Sequence, residues 1–194
     1  MNTTSEHAIR TILVGQSGGP TAAINASLAG VVRAAHTQGL RVLGMRNGIQ
    51  GFLEGKVVDL TEVLELTASE PEAPKQAATN PGEKNLQLLR KTPSSWLGSC
   101  RFKLPELAAS SEPAETSPIY QQIDAQLKKY QVDAVLYIGG NDSMDTTDKL
   151  SRYFAQVESP VRVVGVPKTI DNDLEGTDHT PGFGSAARFV ASVT

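Results

Sequence analysis

The sequence contains a single cysteine, Cys100, among its 194 residues. One cysteine cannot form an intrachain disulfide or a cysteine-ligated metal cluster. No apolar run approaches the ~20 residues that a membrane-spanning helix needs, and the N-terminal sequence MNTTSEHAIR is too polar for a secretory signal peptide. These absences predict a cytoplasmic protein that does not associate with membranes.

The sequence also lacks an excess of one charge. Its 18 basic and 21 acidic residues are mixed along the chain, which gives a formal net charge of -3. A nucleic-acid partner would favour a basic run, and none is present. The 17 glycines are scattered rather than periodic, which excludes collagen-like and low-complexity classes. With 39% apolar residues, the chain is long enough to bury one hydrophobic core.

Apolar segments alternate with segments of helical periodicity along the chain. The predicted strands are residues 11–15, 41–45, 132–140 and 161–166. The predicted helices are residues 22–39, 83–91, 119–131 and 141–157, and residues 182–194 resemble the start of another. This alternation predicts an α/β fold with a doubly wound, mostly parallel sheet and helices on both faces.

Two segments rich in Pro, Ala, Ser and Glu interrupt this alternation. We interpret residues 66–82 and 105–118 as surface loops. The last helical segment, residues 182–194, has no capping glycine, no proline and no polar tail. Because natural helices usually carry a stop signal, we expect this chain to be a fragment of a longer protein.

The first strand is followed by the glycine-rich sequence GQSGGPT, residues 15–21. Glycines allow the backbone to approach an anion closely, and the N-terminus of the following helix favours negative charge. Gly18 and Gly19 are therefore candidates for phosphate binding. A tight strand-to-helix turn without a ligand explains the same sequence equally well.

The strand at residues 132–140 ends in Gly139 and Gly140, and Asn141 and Asp142 follow. A carboxylate and an amide oxygen at this position are suitable ligands for Mg²⁺ or its waters. Asn and Asp are also preferred helix N-caps. Taken alone, the pair is better explained by capping.

The strand at residues 161–166, interpreted as buried, runs into the sequence PKTIDND. An aspartate at the end of a buried strand can be desolvated and act as a base, which makes Asp171 a candidate. Lys168 lies three residues earlier and can attract an anion. An Asx-rich turn is the simpler alternative for Asp171, Asn172 and Asp173.

The carboxyl ends of parallel strands lie at one edge of a sheet, so these three groups are expected to meet. A phosphate site, Mg²⁺ and a proton acceptor together indicate phosphoryl transfer. Arg101 is a further candidate, because a guanidinium stabilises charge on a transferred phosphoryl group. From sequence alone, an ordinary surface arginine explains it better.

Five segments of the chain, in order and at suitable intervals, resemble the phosphofructokinases. They are SGGPTAAINASLAGVVRAA, GIQGFLEG, LGSCRF, IGGNDSMDT and PKTIDNDLEGTDHTPGFGSA. The resemblance implies that residues 1–194 form the domain that binds the phosphoryl donor. It also implies a second, sugar-phosphate domain that lies outside this sequence.

The resemblance also implies a role for each candidate residue. The donor-binding residues are Gly18, Gly19, Arg101 and Lys168. The sugar-phosphate residues are Thr169, Ile170, Asp171 and Asp173, with Asp171 as the general base and Asp173 supporting the base and the metal through water. Asn141 stands where the family usually has a Mg²⁺-associated aspartate, so either Asp142 shares that task or diphosphate brings the metal with it.

Two residues bear on the identity of the donor. Family members that use ATP typically have glycine at the positions of Asp142 and Lys168. The carboxylate of Asp142 would repel the α-phosphate of ATP, and Lys168 offers a compact charge to a short donor. The resemblance is therefore to the diphosphate-dependent branch, with Asp171, Lys168, Asp142 and Arg101 as the catalytic set.

The implied reaction transfers a phosphoryl group from diphosphate to the 1-hydroxyl of fructose 6-phosphate in glycolysis, with Mg²⁺. Two alternatives stay open: an ATP-dependent enzyme, or a truncated, non-catalytic phosphate-binding module. Remote substrate contacts position the acceptor, so we expect the 194-residue chain alone to turn over poorly. Family analogy also suggests a homo-oligomer in the full-length protein.

Overall fold

The computed structural model describes residues 8–66, 80–107 and 118–194. Its strands are β1 (Thr11–Gln16), β2 (Arg41–Met45), β3 (Val57–Asp59), β4 (Ala134–Gly139) and β5 (Arg162–Pro167). Its helices are α1 (Ala22–Thr37), α2 (Gly48–Leu53), α3 (Leu60–Val63), α4 (Pro81–Lys91), α5 (Pro118–Lys129), α6 (Asn141–Gln156) and α7 (Phe183–Val193). The predicted alternation of strands and helices is confirmed.

The strands form one sheet in the order β3-β2-β1-β4-β5. All neighbouring pairs are parallel except β2 and β3, which are antiparallel. From β1 the chain first builds outward through β2, then returns to place β4 on the other side of β1. In open α/β sheets, ligands bind at the carboxyl ends of the strands where this reversal occurs. The gap between β1 and β4 is therefore where a ligand is expected.

Helices cover both faces of the sheet, as the sequence predicts. One core joins α1, α3 and α4 to alternate residues of the central strands; its members include Ile12, Val14, Ile24, Leu28, Val42, Leu60, Leu86 and Ile138. The second core joins α2, α5 and α6 to the opposite face; its members include Leu13, Leu43, Phe52, Ile123, Val135, Tyr137, Leu150 and Phe154. Strands covered on both faces explain the nearly continuous apolar sequences of β1 and β4.

The strand at residues 161–166 departs from the prediction that it is buried. β5 is at the edge of the sheet; exposed and half-buried residues alternate over its first four positions, and its last two residues are half-buried. Val164 is 50% exposed. A valine-rich sequence is typical of a central strand, but at the edge of the sheet part of each residue is exposed to solvent.

Helix α1 shows how local sequence places an element. Ile24, Leu28 and Val32 recur every fourth residue and are fully buried. Gly39 adopts a φ of 70° just after the helix, and the Leu40 N–H donates to the Ala35 carbonyl. This left-handed termination favours glycine and turns the chain directly into β2.

Some elements were not predicted. The sequence analysis assigned no structure to α2, β3 and α3, which are all short. The expected loop at residues 66–82 is wrong at its end, because Pro81 and Gly82 begin α4. Asn80 caps this helix by accepting a hydrogen bond of 2.9 Å from the Gly82 N–H. Most of this loop and of the one at 105–118 lies outside the described residues.

Within the described ranges, none of the helices has both the length and the apolar character required to cross a bilayer.

Candidate functional site

A cavity of about 840 Å³ opens at the carboxyl ends of β1, β4 and β5. It lies at the expected reversal point between β1 and β4. The residues that line it are Ser17, Gly18, Gly19, Pro20, Thr21, Ser99, Cys100, Arg101, Phe102, Lys103, Gly140, Asn141, Asp142, Ser143, Thr146, Lys168, Thr169, Ile170 and Asp171. The glycine turn, the start of α6 and the end of β5 thus face one space.

The three strand ends approach one another closely at this cavity. A methyl group on Gly18 would lie 3.6 Å from the backbone nitrogen of Gly140, and one on Gly140 would lie 3.5 Å from the carbonyl oxygen of Lys168. The Lys168 N–H donates to the Gly139 carbonyl at 2.8 Å. The predicted convergence of the strand ends is therefore present in the structure.

Two glycines are required for this geometry. A side chain on Gly139 would clash with the Ser143 hydroxyl at 2.1 Å and with the Ser17 carbonyl at 2.6 Å. Gly18 has a φ of 88°, a conformation that costs other residues free energy. The backbone at the cavity floor is thus kept bare of side chains, as close binding of an anion requires.

A buried pair of amides fixes the cavity wall beside the glycine turn. Gln16 and Asn25 are both fully buried, and the Gln16 Nε2 donates to the Asn25 Oδ1 at 3.1 Å. The Gln16 Oε1 accepts from the Leu97 N–H at 2.8 Å, and the Asn25 Oδ1 accepts from the Trp96 N–H at 3.0 Å. Asn25 Nδ2 donates to the Thr92 carbonyl at 2.9 Å. Every polar group of this pair is satisfied, so it holds residues 92–97 in one position.

Two serines complete the same wall. The Ser17 hydroxyl donates to the Cys100 carbonyl at 3.0 Å, and the Ser99 hydroxyl donates to the Gly18 carbonyl at 3.0 Å. These bonds place Arg101 at the edge of the glycine turn. We call residues 16–19 together with 95–101 the donor wall, after the role that the resemblance implies for Gly18, Gly19 and Arg101.

Lys168 is the one buried cation among the described residues that line the cavity. Its exposed fraction is 5%, and its Nζ donates to the Gly19 carbonyl at 2.6 Å. Burial lowers the pKa of Lys168, and the nearby Asp171 carboxylate opposes that shift. The ammonium group thus joins the end of β5 to the glycine turn.

Residues 168–180, which we call the acidic loop, follow β5. The Thr169 Oγ1 accepts from the Asp171 N–H at 3.1 Å, and the Thr180 hydroxyl donates to the Thr169 carbonyl at 2.8 Å. Asn172 closes the loop by accepting from the Thr180 N–H and donating to the Asp178 carbonyl. The Asx turn expected at residues 171–173 is not seen among these bonds: the side-chain bond that spans two residues comes from Thr169, and Asn172 instead bridges to the end of the loop.

The loop leaves its aspartates on the surface. Asp171 and Asp173 are both exposed. The expectation that Asp171 is desolvated is wrong for this structure: β5 is an edge strand, and the chain leaves the buried Lys168 and Thr169 for the surface before it reaches Asp171. Asp171 nevertheless lines the cavity beside Lys168.

Asn141 does not cap α6. The N-cap is Gly140, and it makes no side-chain capping bond. The Asn141 Nδ2 instead donates to the Asp173 Oδ2 at 2.8 Å. Asp173 does not line the cavity, but this bond ties it to the first residue of α6. Within the described ranges, no group of three or more His, Cys, Asp and Glu residues is arranged to hold a metal ion.

The cavity brings together nine of the ten residues predicted from the sequence. They are Gly18, Gly19, Arg101, Asn141, Asp142, Lys168, Thr169, Ile170 and Asp171. The sequence analysis missed Lys103, which also lines it. The available signal was its spacing from Arg101, since residues two apart share a side when a segment is extended.

Comparison with known proteins assigns the sequence of this chain to a family. The phosphofructokinase family profile matches residues 11–194. The chain belongs to the phosphofructokinase family. The predicted family and fold are therefore confirmed.

Related phosphofructokinases and their structures agree with this assignment. A pyrophosphate–fructose 6-phosphate 1-phosphotransferase of Xanthomonas campestris is 40% identical over 180 residues, which are 93% of this chain and 37% of the relative. An ATP-dependent 6-phosphofructokinase of Glaesserella parasuis is 33% identical over 181 residues, 92% of this chain and 44% of the relative. The crystal structure of a pyrophosphate-dependent phosphofructokinase from Nitrosospira multiformis matches with a TM-score of 0.73 and 34% identity, covering 95% of this chain and 40% of that one.

The chain thus spans less than half the length of these phosphofructokinases. The matched relatives include both diphosphate-dependent and ATP-dependent enzymes. Family membership supports phosphotransferase chemistry. The role of each cavity residue stays a prediction.

Proposed function

We propose that this chain supplies the donor side and the general base of a diphosphate-dependent 6-phosphofructokinase. The reaction transfers a phosphoryl group from diphosphate to the 1-hydroxyl of fructose 6-phosphate and yields fructose 1,6-bisphosphate and phosphate. The observation that carries the proposal is the single cavity lined by Gly18, Asp142, Lys168 and Asp171. It combines a bare glycine turn, cations and a carboxylate, as phosphoryl transfer requires.

The choice of donor rests on Asp142 and Lys168. The exposed carboxylate of Asp142 occupies the cavity mouth, where a nucleotide's α-phosphate would be repelled. Lys168 lines the cavity with a buried ammonium group that holds the glycine turn, so its charge favours a short polyanion. The similarity to enzymes named for pyrophosphate supports this choice. Because the chain is also similar to the ATP-dependent enzyme of Glaesserella parasuis, ATP remains the alternative donor.

In this proposal Asp171 accepts the proton of the 1-hydroxyl as its oxygen attacks the terminal phosphorus of diphosphate. A new P–O bond forms, the bridging P–O bond of diphosphate breaks, and phosphate leaves. Arg101 and Lys168 stabilise the charge that develops on the phosphoryl oxygens. Thr169 fixes the direction of Asp171 through the bond between its hydroxyl and the Asp171 N–H.

Mg²⁺ fits the oxygen-rich entrance to the cavity. The Asn141 amide oxygen and the Asp142 carboxylate would hold the ion or its waters, with Asp173 fixed beside them by Asn141. So few protein ligands are typical of Mg²⁺ sites in which substrate phosphates complete the coordination. When bound, the ion neutralises phosphate charge.

We propose that residues 1–194 act as the phosphoryl-donor domain, and that further sugar-phosphate contacts, beyond those of residues 169–173, come from a second domain. Binding of the remote part of the sugar positions its reacting hydroxyl. The isolated 194-residue polypeptide is therefore expected to show little turnover. A steady-state assay that gave ordinary kinase rates would contradict this division of labour.

The donor assignment is tested by isothermal titration of the chain with Mg-diphosphate and Mg-ATP. Diphosphate is expected to bind more tightly. The double change Asp142→Gly with Lys168→Gly should shift the preference toward ATP by about tenfold or more. Asp178→Gly, an exposed loop carboxylate that does not line the cavity, is the matched control. Failure to gain ATP binding would overturn the donor argument, and failure to bind either donor would overturn the proposed function.

A further inference from the structure

Lys103 is a cavity residue to which the sequence analysis gave no role. Its Nζ forms an ion pair with the Asp142 Oδ1 at 3.1 Å. The side chains are 72% and 76% exposed, so water solvates both charges. Exposed ion pairs are weak, and a polyanion entering the cavity can therefore displace Asp142 from Lys103 at little cost.

The two lysines of the cavity differ in availability. Lys168 is buried, and its ammonium group already donates to the Gly19 carbonyl. Lys103 is exposed, and its ion-pair partner is the exposed carboxylate of Asp142. Of the two ammonium groups, the one on Lys103 is freer to reorient toward a ligand.

The segment that carries Lys103 is anchored on both sides. On one side, the serine bonds of the donor wall hold Ser99 and Cys100. On the other, Lys149 donates to the Leu104 carbonyl at 3.2 Å, and the Tyr120 hydroxyl donates to the Pro105 carbonyl at 2.7 Å. Only three residues lie between these anchors, so the backbone at Lys103 is held beside the cavity.

The second anchor is itself well supported. Lys149 is buried, and its Nζ forms ion pairs with Asp145 at 2.8 Å and Glu106 at 2.6 Å. Tyr120 is fully buried, and burial raises the pKa of its hydroxyl to about 12. This hydroxyl therefore stays protonated and keeps donating across the physiological range. Asp145 lies on α6, one turn beyond Asp142. The helix that carries Asp142 therefore also carries Lys149, whose bond to the Leu104 carbonyl positions the neighbouring Lys103.

The balance of charge in the cavity gives Lys103 a further role. Three cations line it, namely Arg101, Lys103 and Lys168, against the two carboxylates of Asp142 and Asp171. Without Lys103 these charges would cancel, and a neutral cavity has little attraction for a polyanion. Lys103 therefore makes the lining net positive.

We propose that Lys103 is a third cationic ligand of the diphosphate donor and exchanges Asp142 for a phosphate oxygen when the donor binds. The inference rests on the proposed function and assigns a residue of the same site. It also gives Asp142 a second effect, because its carboxylate competes with the donor for Lys103.

The test is isothermal titration of the chain with diphosphate, with and without Mg²⁺, for Lys103→Gln, Lys103→Arg and Asp142→Asn. Losing one charge-assisted contact is expected to weaken diphosphate binding about tenfold in Lys103→Gln. Lys103→Arg should retain most of the affinity. Without Mg²⁺, Asp142→Asn should strengthen binding several-fold, and this gain should vanish when Lys103→Gln is also present.

Lys84→Gln is the matched control, since Lys84 is exposed on α4 and does not line the cavity. Unchanged affinity in Lys103→Gln, with diphosphate still bound by the unaltered chain, would overturn the role of Lys103 alone. An equal loss of diphosphate affinity in Lys84→Gln would show that the affinity depends only on the net charge of the protein, and would also overturn the role of Lys103. If the unaltered chain bound no diphosphate, this inference and the proposed function would both fail.

Discussion

The donor wall and the acidic loop face the same cavity but are held in different ways. The donor wall follows the central strand β1, and the buried amides of Gln16 and Asn25 fix it. The acidic loop follows the edge strand β5. Its ends at Lys168, Thr169 and Thr180 are buried, but its aspartates are exposed.

This difference predicts that the two regions differ in rigidity. The donor wall is preorganised, because buried and fully satisfied hydrogen bonds leave it few alternative arrangements. The backbone of the acidic loop, which carries the carboxylates, is held by hydrogen bonds between residues of the loop itself. Val164 on β5 and Ile170 within the loop are about half exposed. We therefore expect the donor wall to be rigid and the acidic loop to be more adaptable.

The largest expected contrast comes from one asparagine in each region. Asn25→Ala would leave the Thr92 carbonyl and the Trp96 N–H without their buried partner, and should lower the free energy of unfolding by about 3 kcal/mol. Asn172→Ala removes bonds to Thr180 and Asp178 near the surface, and should cost about 1 kcal/mol. Urea denaturation measures both.

Asn85→Ala is a suitable control for this pair, since its side chain makes one partly buried bond to the Leu64 carbonyl. Its loss should lie between the other two. Equal losses for Asn25→Ala and Asn172→Ala would break the distinction between the regions.

Two glycines, one in each region, allow a second comparison of stability in which smaller losses are expected. Gly18 and Gly176 have similar positive φ values of 88° and 78°. Alanine at Gly18 should lower the free energy of unfolding by about 1.5 kcal/mol, because the donor wall cannot relax the left-handed strain. Alanine at Gly176, which has open space around it, should cost roughly half as much. Thermal unfolding compares them.

Gly19→Ala provides the reference for these two changes. Gly19 has no positive φ, and a methyl group there would meet no atom within 4 Å. It should leave stability nearly unchanged. A larger loss at Gly176 than at Gly18 would show that the acidic loop is the stiffer region.

The smallest expected effect is a pH shift at the point where the two regions meet. Burial lowers the pKa of Lys168 below its ordinary value of 10.5. In the proposed function the ammonium form is the one that binds diphosphate, so affinity should begin to fall as the pH rises toward that lowered value. Asp171→Asn removes the carboxylate that opposes the shift, so the fall should start at a lower pH. Titration calorimetry across alkaline pH measures it.

Lys168→Arg isolates this residue from other groups that titrate at high pH, because a guanidinium stays protonated. Its diphosphate affinity should change less over the same range. An identical pH profile for the lysine and arginine proteins would exclude Lys168 as the titrating group.

Much of the site could be predicted from the sequence, because the topology of the sheet brings its residues together. Parallel strands expose their carboxyl ends at one edge, so Gly18, Asn141 and Lys168 had to approach one another once the alternation was recognised. The burial of individual groups was less accessible. Asp171 was expected to be desolvated and is exposed, because strand composition does not reveal that β5 is at the edge. Asn141 was weighed as a helix cap, and its contact with Asp173 is set by the distance between the start of α6 and the acidic loop.

The sequence by itself determined the order of strands and helices, the glycine turn and the identity of the polar strand ends, since these follow from local periodicity and backbone freedom. Only the tertiary structure decided which lysine is buried, that Asn141 binds Asp173, and that Lys103 faces Asp142. Those outcomes depend on contacts between residues far apart in the chain. Such contacts are set by how helices and loops pack, which no local pattern encodes.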